Sequence, residues 1–198
     1  MLDPVTLAGR HVRLEPLSPE HLPALCEVGL DPELWRWTLT TIRTPEEMRA
    51  YVDAALRERD AGRALPFATV DAASGRAVGS TRFGNPSEAD GRVEIGWTWL
   101  ARAWQRTPAN TEAKYLMLRH AFETLGCVRV EFKTDALNQR SRAAILRLGA
   151  VEEGVLRRHM RSQGGRMRDS VYFSILDDEW PAVRAGLEAK LARPPGAQ

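Results

Sequence analysis

The segment Gln105-Arg106-Thr107-Pro108-Ala109-Asn110 joins an alternating apolar stretch, residues 93–100, to a run with helical spacing, and the sequence places its chemistry at this junction. Asn110 reads as the N-cap of the helix, and Glu112 puts an acid in the first turn, where the helix dipole favours it. Ala113, Leu116, Met117, Ala121 and Leu125 follow at helical spacing, and Gly126 closes the run. A loop that enters a helix start presents backbone N–H groups with no intrahelical partner. It is a ready seat for an anion, a pyrophosphate included. A second helix start, Asn138-Gln139-Arg140-Ser141, follows the alternating stretch 128–134. The histidines nearest these segments are His120, in mid-helix, and His159, within Arg157-Arg158-His159.

The elements that must position these groups are legible in order. Residues 10–16 alternate as a first strand. Ser18 and Pro19 start a helix ending near Gly29, and Asp31-Pro32-Glu33 starts a short turn carrying Trp35 and Trp37. Thr44, with Glu47 at the capping-box position, starts a helix to about Asp60. Strands are expected over 65–70, 77–83 and 92–100, as an antiparallel meander turning at Ser74-Gly75 and over 84–91. After the central helix come a strand over 128–134, a helix over 138–148 stopped by Gly149, and a hairpin of 151–161 with 168–176 around Gly164-Gly165. A final helix opens near Trp180-Pro181, and a loose Pro-rich tail begins at about residue 193. The expected class is α+β, a single domain over 1–198.

Composition narrows the function. At 198 residues with 43% hydrophobic and 27% charged content, the chain is long and apolar enough to bury a core. A net charge of +2 argues against bulk nucleic-acid binding. Cys26 and Cys127 make neither a metal-ligand spacing nor a disulfide framework, so a reducing compartment is expected and no metal. The first residues carry no signal-peptide pattern and no apolar run reaches membrane-spanning length, so the expected location is the cytoplasm.

With these segments placed, the chain resembles the GCN5-related N-acetyltransferases (GNAT), and within them the ribosomal-protein N-terminal acetyltransferases. The element order matches over essentially the whole chain, and two motifs carry the resemblance. The acetyl-CoA pyrophosphate loop of that family, Gln/Arg-x-x-Gly-x-Gly/Ala, is met here by Gln105 to Asn110, with Pro108 in the glycine's place and Asn110 where Gly or Ala belongs. The family's Asn-x-x-Ser/Ala before a helix ending in Gly-Phe is met by Asn138 to Ser141 and by Gly149, with Ala150 in the place of the phenylalanine. The resemblance implies a mostly antiparallel mixed sheet of about seven strands with helices on both faces, and acetyl-CoA as co-substrate. It implies direct transfer to a primary amine in a ternary complex, the amine being that of a protein N-terminus. It also implies a homodimer as one assembly, since relatives are often dimers.

The same resemblance assigns residues. Gln105, Arg106, Thr107, Ala109, Asn110 and Thr111 would line the pyrophosphate, and strand N–H groups of Trp97, Thr98, Trp99 and Leu100 would hold the thioester carbonyl. Asn138 would bind the pantetheine arm. Ser141 would lie near the sulfur and protonate or polarise the leaving thiolate, because the family's tyrosine is Ile145 here; a glutamate that the ribosomal-protein branch carries on the following strand is Met160. Glu94 would be the base. Trp35, Trp37 and His159 would line the acceptor groove.

Each assignment has a plainer counterpart. Glu94 is also a plausible strand ion-pair partner, Asn138 and Ser141 helix-start residues, His120 and His159 packed or solvated histidines, and the two tryptophans core. The arginines at 157, 158, 161, 166 and 168 read first as a charged hairpin, and second as a lure for an acidic acceptor, the CoA 3′-phosphate or RNA. The rival functions are acetylation of a small-molecule amine and, from another class, a non-catalytic acyl-CoA binding module, which Pro108, Ile145 and Met160 favour.

Overall fold

Period-two alternation with short polar turns builds a meander ahead of the central helix, and apolar stripes with clear stops build the helices. The computed structural model describes residues 2–162 and 164–193. In chain order these form β1 (Leu7–Ala8), β2 (Val12–Pro16), α1 (Leu22–Gly29), α2 (Pro45–Asp60), β3 (Ala64–Asp71), β4 (Ala77–Ser87) and β5 (Arg92–Leu100). Then follow α3 (Pro108–Arg119), β6 (Arg129–Asp135), α4 (Gln139–Leu148), β7 (Val151–Arg161), β8 (Met167–Leu176) and α5 (Trp180–Leu191). The tail expected from about residue 193 lies, past Arg193, outside the described residues. Among the described residues no helix is long and apolar enough to cross a membrane.

The strands form one sheet in the order β1-β2-β3-β4-β5-β6-β8-β7. All neighbours are antiparallel except β5 and β6, which run parallel. The turn between β4 and β5 passes through Gly91 at φ 57°, a backbone state that glycine adopts without a Cβ clash. Two apolar clusters cover the sheet. Leu116 and Met117 of α3, Ile145 and Leu148 of α4 and Leu187 of α5 pack with Phe67, Val93, Ile95, Phe132 and Phe173. Leu25 of α1 and Met48 and Val52 of α2 pack with Ala68, Val70 and Trp99. Phe67 and Ala68 are adjacent on β3 yet belong to different clusters, so the clusters lie on opposite faces.

Several expectations need correction. The sheet has eight strands, not about seven, because Leu7–Ala8 pairs with Leu14 and Arg13 of β2. A strand of two residues has no alternation to read. The first helix starts as a 3-10 turn, Pro19–His21, before α1 begins at Leu22. Thr44 caps α2 as expected, accepting from Glu47 N–H at 3.2 Å, but the Glu47 carboxylate takes the N–H of Arg43 at 2.6 Å.

The central helix begins earlier than the sequence suggests. Its N-cap is Thr107, whose Oγ1 accepts from Ala109 N–H at 3.2 Å, and Pro108 is the first helical residue. Asn110 therefore lies inside the first turn. Glu112 does not serve the helix dipole. It is 5% exposed, and its carboxylate accepts the backbone N–H groups of Arg10, His11 and Val12 at 2.9, 2.6 and 2.8 Å. It pins the entry to β2 against α3. Glu112→Ala leaves three N–H groups without an acceptor and should destabilise the fold by about 3–5 kcal/mol in urea unfolding. A loss under about 1 kcal/mol would mean that water replaces the carboxylate at little cost.

Candidate active site

The sheet opens at one place. β5 pairs with β6 only at Arg92, Val93 and Glu94, opposite Arg129, Val130 and Glu131. Past Glu94, β6 stays on β8 up to Asp135, while β5 stays on β4 up to Leu100. The two parallel strands therefore separate, and residues 95–100 keep one edge without a neighbouring strand. The divergence has a local cause. Ser80 faces Trp99 and Arg82 faces Gly96, so β5 carries one residue more than β4 across this interval. That bulge bends the strand, and Trp97 sits in it at φ 50°. The Trp97 ring lies on Gly84 of β4, where an added Cβ would stand 2.4 Å from a ring carbon.

Two helix starts flank the opening. The loop before α3 turns through Arg106 at φ 62°. The N–H of Ala109 is taken by the Thr107 hydroxyl, while that of Asn110 is in the first turn, where no intrahelical acceptor exists. Pro108 at the first helical position removes a donor that the helix itself does not use. Asn138 caps α4, its Oδ1 accepting from Ser141 N–H at 3.1 Å. Gln105 ties the two sides together: its amide donates to the Leu100 carbonyl at 2.7 Å, and its carbonyl accepts from Arg140 of α4 at 2.5 Å.

On the α1/α2 side, Glu94 is 4% exposed at the point of divergence. Its Oε2 binds Lys133 Nζ at 2.9 Å and Asn85 Nδ2 at 2.7 Å. Its Oε1 points along the strand towards Gly96. Trp97 stands beside the same lysine, 5.9 Å from its ring centroid, and Lys133 also lies 6.0 Å from the Tyr172 ring. His159 packs edge-on against Tyr172 at 5.7 Å. Glu94, Trp97 and His159 are thus linked through Lys133 and Tyr172.

On the α3 side is a residue that sequence reasoning missed. Lys114 is 6% exposed, and its Nζ lies 2.9 Å from Thr81 Oγ1 and 2.5 Å from Thr98 Oγ1. Those hydroxyls are its hydrogen-bond partners, and it has no carboxylate partner among the described residues. Burial pushes its pKa down to about 7, which leaves much of it uncharged at neutral pH. One signal was available: Lys114 precedes Met117 and Leu118 by three and four positions, so it lies on the apolar face of α3.

Other expected site residues are placed elsewhere. Trp35 is 3% exposed, donates its ring N–H to the Gly29 carbonyl at 2.7 Å and packs on Trp99, so it belongs to the core. Trp37 remains near the surface, with Arg36 and Arg166 over its ring at 5.1 and 5.9 Å. The hairpin arginines do not form one basic patch. Arg166 pairs with Asp135 at the end of β6, and Arg168 is buried against Ser170, its pKa pushed down by desolvation. His120 packs beside Phe83, and burial lowers its pKa. Ile145 is a core residue.

An opened parallel strand pair between two helix starts has the shape to seat an extended anionic ligand. The family model for the acetyltransferase (GNAT) domain matches residues 11–151. A GCN5-related N-acetyltransferase from Brucella melitensis superposes with a TM-score of 0.90 at 34% identity, covering 100% of this chain and 91% of that one. Mycobacterium smegmatis RimJ, solved in complex with CoA-disulfide, superposes with a TM-score of 0.82 at 25% identity, covering 94% and 95%. YdaF of Bacillus subtilis (strain 168), provisionally named a ribosomal N-acetyltransferase, is 32% identical over 106 residues, 54% of this chain and 57% of that protein. The chain belongs to the GNAT family of acetyltransferases. It is an acyltransferase that uses acetyl-CoA.

Proposed function

We propose that this enzyme acetylates the α-amine of a protein N-terminus, with Glu94 as base and residues 95–100 as the cradle of the thioester. The observation that carries the reading is the unpaired edge of β5, which begins at a buried carboxylate and runs between two helix starts. The provisional name of YdaF supports the choice of acceptor.

The chemistry asks for few groups. An amine attacks a thioester carbonyl, the carbonyl oxygen gains charge, and a thiolate leaves. Holding both substrates in register supplies roughly 7–11 kcal/mol. Glu94 takes the proton from the incoming ammonium through Oε1, since Oε2 is held by Lys133 and Asn85. The N–H groups within Trp97 to Leu100 that face the open edge of β5 donate to the developing oxyanion. The N–H groups of Arg106, Thr107 and Asn110, with the Arg106 side chain, hold the pyrophosphate; Ala109 and Thr111 contribute the shape of that turn, since the N–H of Ala109 is committed to the Thr107 hydroxyl and that of Thr111 faces the Thr107 carbonyl. Asn138 orients the pantetheine amide, and the Ser141 hydroxyl donates a hydrogen bond to the departing thiolate, which takes its proton from solvent. The free thiols Cys26 and Cys127 accord with work in a reducing cytoplasm.

Thiol release from acetyl-CoA against a panel of N-terminal peptides and small amines tests the reading. Turnover is expected with peptides, with kcat/KM at least tenfold above that for simple alkylamines. Turnover confined to small amines would overturn the choice of acceptor.

A further inference from the structure

Arg82 carries a charge that the protein does not answer. It lies on β4 opposite Gly96, 5% exposed, with its guanidinium over the rings of Tyr51 and Trp97 at 5.4 and 5.0 Å. Its Nε is fully buried with no hydrogen-bond partner. Among the described residues its guanidinium has no hydrogen bond and no ion pair. Glu58 interacts with it only through space, and that carboxylate is already bound by Arg63 at 2.8 and 3.0 Å. Glu94 is bound by Lys133 and Asn85. A buried guanidinium without an anion is unfavourable, and aromatic faces replace only part of its lost hydration.

The setting points to the missing partner. Trp97 belongs to the bulge that opens the sheet, and both Arg82 and Lys133, the partner of Glu94, lie near its ring, at 5.0 and 5.9 Å from the centroid. Arg168, also buried, feels the charge of Glu94 and Asp135, and Asp135 is paired with Arg166. Lys133 is spent on Glu94 and Arg166 on Asp135, which leaves Arg82 and Arg168 as buried guanidiniums without a carboxylate partner among the described residues. The planar guanidinium fork fits a carboxylate in two parallel hydrogen bonds.

We propose that Arg82, framed by Tyr51 and Trp97, binds a carboxylate of the acceptor and so selects amines that carry a negative charge close to the reacting nitrogen. This rests on the reading of Glu94 and the β5 edge as the acetyl-transfer site. The carboxylate has two sources, the α-carboxylate of a free amino acid or an acidic side chain at a peptide N-terminus.

Paired acceptors distinguish them: glycine against glycinamide, and a peptide beginning Asp-Ala against one beginning Asn-Ala. The wild type should favour the carboxylate member of one pair by roughly 30-fold in kcat/KM, and Arg82→Met should collapse that ratio towards 1. The KM for acetyl-CoA should not move. Arg82→Met removes an unpaired buried charge, so its melting temperature should equal or exceed that of the wild type. A wild type that uses amines with no preference in either pair, or a variant slowed equally on both members, overturns the proposal. If no amine is acetylated, the acetyl-transfer reading of the site fails instead. Arg82 is then judged by succinate, which should raise the melting temperature of the wild type and not of Arg82→Met; an equal shift in both sinks it.

Discussion

Glu94→Gln should lower kcat by a factor of about 10²–10⁴ while leaving the KM for acetyl-CoA near its wild-type value. The substitution keeps the shape of the side chain, and its amide oxygen can still accept from Asn85. It removes the ability to take a proton. It also leaves Lys133 without its ion-pair partner, so a loss of activity alone does not separate base from scaffold. The acceptor separates them. An amine already unprotonated at neutral pH, such as an acyl hydrazide, needs no base to expose its lone pair, and against it the deficit should shrink to about tenfold or less. Steady-state thiol release with a peptide amine and with an acyl hydrazide gives both numbers. An equal deficit on the two acceptors would assign Glu94 to structure and move the base elsewhere.

The second large effect is on stability and carries a sign that depends on pH. The Lys114 ammonium loses its hydration in the fold, so its pKa falls from 10.5 to about 7. Between those values the unfolded chain holds a proton that the native chain has released. The unfolded state therefore binds more protons, and stability must rise with pH across this window. Below about pH 7 both states are protonated and the burial penalty is present in full; above about pH 10.5 it is gone. The complete rise is about 5 kcal/mol. Tyrosines and cysteines titrate over the same range, so the measurement is the difference between wild type and Lys114→Met in urea unfolding at several pH values. The variant should be the more stable protein at pH 7 by about 2–4 kcal/mol, with that advantage shrinking as pH rises. A difference that stays flat from pH 7 to 10 would refute the assignment. Because Lys114 holds Thr98 on the unpaired edge of β5, the stabler variant should also be the slower enzyme.

Much of this architecture was readable because its signals are local. Thr44 before Pro45, Asn138 before the apolar face of α4, Gly149 after it and Gly164-Gly165 between two alternating runs each state a boundary within a few residues. The misplaced start of α3 is instructive. Thr107 and Asn110 are both capping types, and the choice between them lay in Pro108, which favours the first helical position and so points to Thr107. Trp35 and Trp37 differ by one intervening residue, yet one is core and the other near the surface, because only the packing of α1 and α2 against Trp99 decides between them. The opening between β5 and β6 has no signature in the chain, since it depends on a one-residue excess of one strand over its partner. Arg82 and Lys114 were missed for a related reason. Their surroundings are made by Tyr51, Trp97, Thr81 and Thr98, which the sheet assembles from distant segments.

The short parallel contact of β5 with β6 has a mechanical meaning. β1 to β5 form one continuous antiparallel ladder, and β6 to β8 form another. Strand pairing between them is limited to three facing residue pairs, extended at one end by the Gly91 carbonyl, which accepts from Val128 and Arg129 N–H. A rotation of one ladder against the other can widen or narrow the gap while disturbing few main-chain hydrogen bonds, as the two blades of a pair of shears turn on a short pivot. Glu94 is at the pivot itself, so its position should change least while the gap works.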